Sequence, residues 1–553
     1  MQVQEFILNQ GEQLFGKRGS LLSLWQTIAD NFYPERADFT TVRNVGEEFA
    51  DNLTTSYPIL ARRDLGNAFG AMLRPSAKSW KKLRTKDNWE RVGTEERAWL
   101  ERADAQMTRA MYHADSQFTR ATKEADHDFA AFGQAVIHVS LNKQGSGLLY
   151  RCYHLRDVAW IEDENGKVTT VFRRWKPSAL DLKRLFGNKI SPEVARKLDK
   201  DPYCEFEVWH CIMPADVYAE HTGGKATRHP FVSIYFDKDH KHIMEEVGLK
   251  QIGYVIPRWQ TVSGSQYAYS PATVAALPDA RLIQAITRVL LEAGEKATNP
   301  PMIAVQEALR SDISIYAGGV TWVDESYDER MGEVLRPLTQ DTRGIPLGME
   351  MGKDIRAMIA EAFYLNKISL PQPGNEMTAY EVGQRVQEYI RQAMPLFEPM
   401  ENEYNAPLCD LTFDLMMQAG AFGSVFDIPE GLQDMDVDFV FESPLHDAVE
   451  REKGQRFLEA GSMLAQAAQI DTSAVFIVDV KKAFRDVLQG IGVPAAWTRS
   501  ETEVKKREDE QAQALQTQQL LANMQQGADV VQKLSSATAP GAAQTAVPQG
   551  FGA

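Results

Sequence analysis

Leu370-Pro371-Gln372-Pro373-Gly374-Asn375-Glu376-Met377 separates two helical patterns, and the reading of the whole chain turns on it. Its two prolines and one glycine cannot continue a helix, because proline lacks an amide donor and glycine has the most backbone freedom to lose. Before the break, from Gly344 to Ser369, the apolar residues Ile355, Met358, Ile359, Ala362 and Phe363 recur at helical spacing. After it, Thr378 followed by Glu381 forms a capping box, and the pattern runs on to Gly420. The spacing predicts helix, loop, helix, with the loop held away from a rigid frame.

The flanking sequence extends this pattern. Ser270-Pro271 predicts another helix start, with serine as N-cap and proline in the first turn. Leu282, Ala285, Ile286, Val289 and Ala293 form its apolar stripe, and Asn299-Pro300-Pro301 stops it. Residues 302–343 read as a compact mixed segment, with strands expected at Ile313–Tyr316 and Gly319–Val323. Its second half is acidic: Asp324, Glu325, Asp328, Glu329 and Glu333. Downstream, Val437–Phe441 reads as a strand. Helices are expected from Ser443-Pro444, from Asp479 to Gly490, and from the capping box Ser500/Glu503 to about Leu534. Residues 535–553 have the Ala/Pro/Gly/Gln-rich composition of a disordered tail.

Residues 1–135 read as helical. One stripe runs through Leu21, Leu22, Leu24, Trp25 and Ile28 to Pro34. A second runs through Leu60, Leu65, Ala68, Phe69 and Leu73 to Pro75, with Gly66 and Gly70 four apart, as close helix packing requires. A third helix is expected from Glu95 to Phe132. From 135 to 260 the chain turns β-branched and aromatic, with strands expected at 135–140, 148–153, 168–175, 206–212 and 231–236. Asn165-Gly166 marks a hairpin turn, and Ser178 to Phe186 a short helix. The expected class is α+β, mainly α: a sheet inserted in a helical protein.

The 553-residue chain is long enough for more than one domain. No apolar run approaches the ~20 residues that span a membrane, and no basic segment precedes an apolar core at the start, so no secretory leader is expected. Cys152, Cys204, Cys211 and Cys409 are scattered, as reduced structural thiols are. A net charge of −16 argues against gripping nucleic acid over a broad surface, while leaving room for DNA to slide past.

Motifs for catalysis are incomplete. Gly11, Gly16 and Lys17 have nucleotide-loop spacing, but Arg18 stands where a Mg²⁺-holding Ser or Thr belongs. HExxH and Gly-x-Ser-x-Gly do not occur. Asp237, Asp239, His240 and His242 suggest a metal cluster or, more simply, a solvated turn between strands. Asp126, His127 and Asp128 suggest acid–base chemistry or, more simply, a polar helix face. Neither a cofactor nor catalytic activity is expected.

Thr378-Ala379-Tyr380-Glu381-Val382, with Arg385, Glu388, Pro395, Pro399, Glu403 and Pro407, resembles the portal proteins of short-tailed, T7-like bacteriophages. The likeness continues in order through Trp25 to Phe32-Tyr33-Pro34, Gln266 to Pro271, Ala276-Leu277-Pro278-Asp279, Asn299-Pro300-Pro301, Pro429-Glu430-Gly431-Leu432, Ser443-Pro444-Leu445 and Gly492-Val493-Pro494. Ala268 and Tyr269 depart from it, since portals often carry Gly-Arg at those places. The resemblance implies a portal fold: a wing (1–270 and 378–442), stem helices (271–298 and 344–369), a clip (299–343), a tunnel loop (370–377), a helical crown (443–534) and a disordered tail (535–553). It also implies a ring of about twelve copies at one capsid vertex of the virion, through which double-stranded DNA is packaged and ejected. Its partners would be the terminase large subunit, a tail adaptor, and the major capsid and scaffolding proteins. Lys353, Arg356 and Lys367 lie off the apolar stripe, placed to face a channel or to pair with Asp354 or Glu361. The acidic residues of 324–333 would dock the motor or adaptor. A monomeric virion adaptor and a packaging enzyme are the alternatives.

Overall fold

The computed structural model describes residues 3–304, 335–337, 344–368 and 399–441, apart from short breaks, with scattered positions in 309–330 and 457–516. The expected loop 370–377, the start of the helix after it, the strands at 313–316 and 319–323, most of 443–534 and the tail lie outside the described residues. The chain divides into two compact units: residues 1–84, 102–427 and 437–450, and residues 85–101, 428–436 and 451–553.

The first unit begins with α1 (Val3–Gly16) and α2 (Gly19–Phe32). Trp25, Ile28, Ala29 and Phe32 of α2 recur every three to four residues, and all four are buried. Pro58 opens α3 (Tyr57–Leu73). β1 (Lys81–Thr85) and α4 (Thr94–Met111) follow, then α5 (Phe118–Phe132). The single helix expected over 95–132 is thus two. Ser116 Oγ bonds the carbonyls of Met111 and His113 and accepts from the Phe118 amide, and Gln117 takes φ 58°, so a serine diverts the backbone from its own ladder. Gly66 and Gly70 allow α3 and α5 to pack closely. A Cβ on Gly66 would lie 2.4 Å from the His127 ring, and one on Gly70 3.2 Å from Asp126, both on α5.

The β region comprises β2 (Ile137–Leu141), β3 (Leu148–Cys152), β4 (Val158–Glu162), β5 (Val168–Trp175), α6 (Ala179–Phe186), α7 (Pro192–Leu198), β6 (Val208–Pro214), α8 (Ala215–Thr222), β7 (Phe231–Asp237), β8 (His242–Leu249) and β9 (Tyr254–Val255). Among the described residues, β4-β5-β6-β7-β8 form an antiparallel five-stranded sheet and β3-β2-β9 a three-stranded one. Strand alternation divides the large sheet's burial. Trp209, Cys211 and Met213 pack with Ile7 of α1 on one face, while Val208 packs with Leu182 of α6 and Val194 of α7 on the other. The β4–β5 turn is the expected Asn-Gly turn: Gly166 has φ 77°, and Asp163 Oδ1 accepts from the amides of Asn165 and Lys167. β1, β4, β8 and β9 were not foreseen; β8 is a half-exposed edge whose alternation is weak. The two sheets are joined by His210, bonded through Nδ1 to the Tyr254 hydroxyl (2.7 Å) and through Nε2 to Ser233 Oγ (2.9 Å).

The short strands β10 (Gln260–Thr261) and β11 (Ala268–Tyr269) pair with each other and lead into α9 (Pro271–Thr298). β12 (Met302–Ala304) pairs antiparallel with β13 (Leu335–Pro337). The helix expected over 344–369 is interrupted: α10 (Gly344–Ala362) stops, Tyr364 takes φ 56°, and the short α11 (Leu365–Ile368) follows. Buried Phe363, packed on Phe32 with ring centroids 5.4 Å apart, ties the chain down just before this bend. A π-helical turn, Glu401–Asn405, leads into α12 (Ala406–Gln418), and β14 (Val437–Phe441) matches its expected bounds and pairs with β1.

In the second unit, the Lys86 amide donates to the Asp436 carbonyl (2.9 Å), and Gly431 in a 3-10 turn (Glu430–Leu432) lies against Glu96.

Candidate functional site: a helical hairpin and its buried root

The hairpin is α9 and α10, joined at one end by the β12–β13 pairing. Its root is held by hydrogen bonds to the end of α5. Ser270 Oγ caps α9 by accepting from the Thr273 amide and donates to the Ala130 carbonyl (2.8 Å), while Thr273 Oγ1 donates to the Ala131 carbonyl (2.8 Å). Gly133 follows α5 with φ 72°, and a Cβ there would lie 2.1 Å from the Tyr269 backbone, so the close approach admits only glycine. Gln134 Oε1 accepts from the Ala268 amide, fixing the segment just before the cap. Midway along α9, Gln284 accepts from the amides of Thr54 and Thr55 and donates to the Thr55 carbonyl, so a loop is pinned to the helix.

Beyond the root the two helices lean on each other. Gly348 of α10 meets Leu290 of α9, where an added Cβ would lie 2.9 Å from a Leu290 methyl. Ile355, Ile359 and Phe363 are buried toward the protein. Val289, Leu291, Leu347 and Met349 remain more than half exposed, and Leu282, Met351 and Met358 are also exposed. Met358, expected on the buried stripe, therefore faces outward. Apolar side chains are thus left exposed along both helices of the hairpin.

α5 also organises the base. Asp126 pairs with Arg74, which is buried, donates to Asn405 Oδ1 (2.8 Å) and stacks over the Tyr404 ring. Asp128 receives a two-pronged contact from Arg36 (2.6 and 3.0 Å). His127 meets Arg62 at 3.1 Å. Burial opposes the Arg74 charge, but the Asp126 carboxylate outweighs it and lifts the guanidinium above its usual value. Burial, then the Arg62 charge, pushes His127 down to about 4. Three successive residues thus engage arginines from α3, from its C-cap and from the Pro34–Arg36 turn. The expectation of a polar helix face is corrected: the two carboxylates are buried, and their charge is matched inside the protein.

Gly11 lies within α1, where a Cβ would come 2.2 Å from the Trp209 ring; the apparent nucleotide-loop spacing serves helix packing. Asp237 is buried, accepting from Ser191 Oγ (3.0 Å) and contacting His240 Nδ1 (2.8 Å), while His242 Nε2 meets the Lys189 carbonyl (3.0 Å). The cluster closes the β7–β8 turn as expected, with Asp237 inside it and not solvated. Among the described residues no group of three or more His, Cys, Asp or Glu is arranged to hold a metal, and no helix is long and apolar enough to cross a membrane. All four cysteines are free thiols. Lys353 and Arg356 are exposed on α10. The side chain of Lys367, the loop residues Leu370 to Met377, and Glu325, Asp328, Glu329 and Glu333 lie outside the described residues; Asp324 is half-buried. Sequence reading missed the root residues Gly133, Gln134 and Gln284. Of these, a glycine just after a helix is a recognisable C-terminal signal.

Residues 5–498 match the family described as bacteriophage head to tail connecting protein. Among relatives, the probable portal protein of Bordetella phage BPP-1 is 26% identical over 555 residues, covering 96% of this chain and 95% of the relative. The portal protein of Salmonella phage epsilon15 is 23% identical over 573 residues, covering 100% and 99%. A chain of the virion of a native gene transfer agent particle aligns with a TM-score of 0.34 and 8% identity, over 74% of this chain and 86% of that one, a likeness too low to bear on the argument. The chain belongs to the bacteriophage head to tail connecting protein family. A protein of this family stands in the virion where head meets tail.

Proposed function

We propose that this protein is the portal of a short-tailed phage: about twelve copies close into a ring at one capsid vertex, and double-stranded DNA passes through the central channel during packaging and ejection. The observation that carries the reading is the α9/α10 hairpin, rooted by hydrogen bonds and exposing Val289, Leu291, Leu347, Met349 and Met351. A second copy presenting the same hairpin covers those side chains, and repetition around an axis leaves no copy uncovered. Residues 271–298 and 344–369 are then the stem, 299–343 the clip, 370–377 the tunnel loop, 1–270 with 378–442 the wing, and 443–534 the crown. Exposed Lys353 and Arg356, with Lys367, give passing phosphates weak contacts, which an acidic chain keeps transient. The loop Leu370, Pro371, Gln372, Pro373, Gly374, Asn375, Glu376 and Met377 touches DNA without reading its sequence. Asp324, Glu325, Asp328, Glu329 and Glu333 meet basic surfaces of the terminase large subunit and then of the tail adaptor. Major capsid and scaffolding proteins surround the wing. The protein turns over no substrate of its own.

Negative-stain microscopy and mass measurement of the purified chain test this reading. Closed rings are expected; a monomer at high concentration overturns it. ATPase and nuclease activity abolished by a point mutation in this chain would replace the portal reading with the packaging-enzyme reading.

A further inference from the structure

A cavity of about 150 Å³ lies where α1 passes into α2, closed on its other side by the segment that leads to α9. Leu14, Lys17, Arg18 and Leu21 line it from the helices, and Ser265, Gln266, Tyr267 and Tyr269 from the segment. Arg18 is only 2% exposed. Its Nη1 donates to the carbonyls of Leu155 (2.9 Å) and Val158 (2.7 Å), and its Nη2 to that of Arg156 (2.9 Å). Three carbonyls orient the guanidinium without neutralising it. Asp157, the carboxylate that acts on it, is already shared by Arg156 (3.0 Å) and Arg174 (3.5 Å). Arg18 Nε and the Tyr267 hydroxyl are buried beside one another, and neither completes a hydrogen bond of good geometry. α2 starts at Gly19 with no side-chain cap, which leaves the positive end of its dipole at the α1–α2 junction. Exposed Lys17 stands next to it.

Each of these features favours a negative charge in the same place. A buried guanidinium with no carboxylate of its own, an adjacent tyrosine hydroxyl whose hydrogen bonding is incomplete, an uncapped helix start and a lysine together make an oxyanion site. The volume suits one tetrahedral ion and is below the range of pockets that take larger ligands. We propose that this cavity binds a free oxyanion of the phosphate class, bridging Lys17, Arg18 Nε and the Tyr267 hydroxyl, and so locks the α1–α2 junction onto the segment that enters the hairpin. The site is independent of the ring reading, since every group in it comes from one chain.

The test is a titration of the purified full-length chain with inorganic phosphate, potassium chloride holding ionic strength constant. Thermal unfolding and ³¹P line broadening are the two readouts. Wild type is expected to show a saturable rise in melting temperature and broadening of the phosphate line. Tyr267→Phe and Lys17→Gln are expected to bind about tenfold more weakly, the loss of one hydrogen bond or charge contact to an ion. The phosphate-free melting temperature of each variant is measured first, and the phosphate-induced shift is read relative to it. Equal response to phosphate and chloride overturns the proposal, as do wild-type responses from both variants. A shift produced by duplex DNA and not by phosphate overturns it as well.

Discussion

Asp126 shows what a single residue decides in this protein. Its carboxylate sits in a buried pair with Arg74, and Asn405 from the π-helical turn completes the contact. Asp126→Asn leaves the Arg74 charge buried and unmatched, and should cost about 3–5 kcal/mol in a urea unfolding experiment. The double change Asp126→Leu with Arg74→Met should cost less than Asp126→Asn, because no charge then remains to be solvated. Gly11 is decisive through size alone. Gly11→Ala drives a methyl into the Trp209 ring and should destabilise by about 1–3 kcal/mol, as overpacking does, with no change in any nucleotide affinity. A specific nucleotide affinity lost on that change would return the Gly11–Lys17 segment to the role its spacing suggested.

At the scale of elements, the hairpin and the bend after it separate assembly from folding. Leu347 and Met351 are exposed on α10, in the turns before the buried Ile355 and Ile359. Leu347→Asp with Met351→Asp should abolish rings in negative stain while leaving the melting temperature of the dissociated chain within a few degrees of that of dissociated wild type. Loss of both together would mean these side chains belong to the fold. The bend rests on Tyr364 at φ 56°, a conformation that most side chains resist. Tyr364→Val should cost about 1–2 kcal/mol by chemical denaturation, because a β-branched residue fits the left-handed region worst, and Tyr364→Gly should fall well below that.

Across the whole molecule, pH reports on the buried core. Burial depresses His127 to about 4 and His138 to about 3, each aided by neighbouring arginines. Both are neutral when folded and take up a proton when unfolded. Their contribution is therefore complete above the unfolded value of 6.5 and is lost as pH falls from there toward 4 and 3. Asp410, an exposed carboxylate of α12 and not part of the core, acts in the opposite sense. Partial burial, then Asp438 and Asp414, raises it to about 6, so its cost is felt above that pH and relieved below it. The melting temperature should fall between pH 6.5 and pH 4.5. His138→Gln should flatten that limb, and Asp410→Asn should steepen it. An unchanged limb in both variants would show that other groups control acid stability.

Much of the fold was legible because local chemistry and tertiary need agree. Ser270-Pro271 names a helix start, and the structure uses that serine as cap and anchor at once. Asn165-Gly166 names a turn that only positive φ allows, and Val437–Phe441 carries its strand in side-chain type alone. The break at Gln117 was hidden, since nothing in Glu95 to Phe132 forbids a helix until Ser116 finds the Met111 and His113 carbonyls. The candidate site was half legible. Spacing placed α9 and α10, but which apolar residues face outward depends on where Gly348 meets Leu290. Asp126, His127 and Asp128 look like a polar face in one dimension; arginines of α3, its C-cap and the Pro34–Arg36 turn make them core. The sequence by itself determined where helices and strands begin, because caps, turns and periodicity act over a few residues. Only the tertiary structure decided which charges are buried and matched and which apolar faces stay open, because those depend on partners far away along the chain.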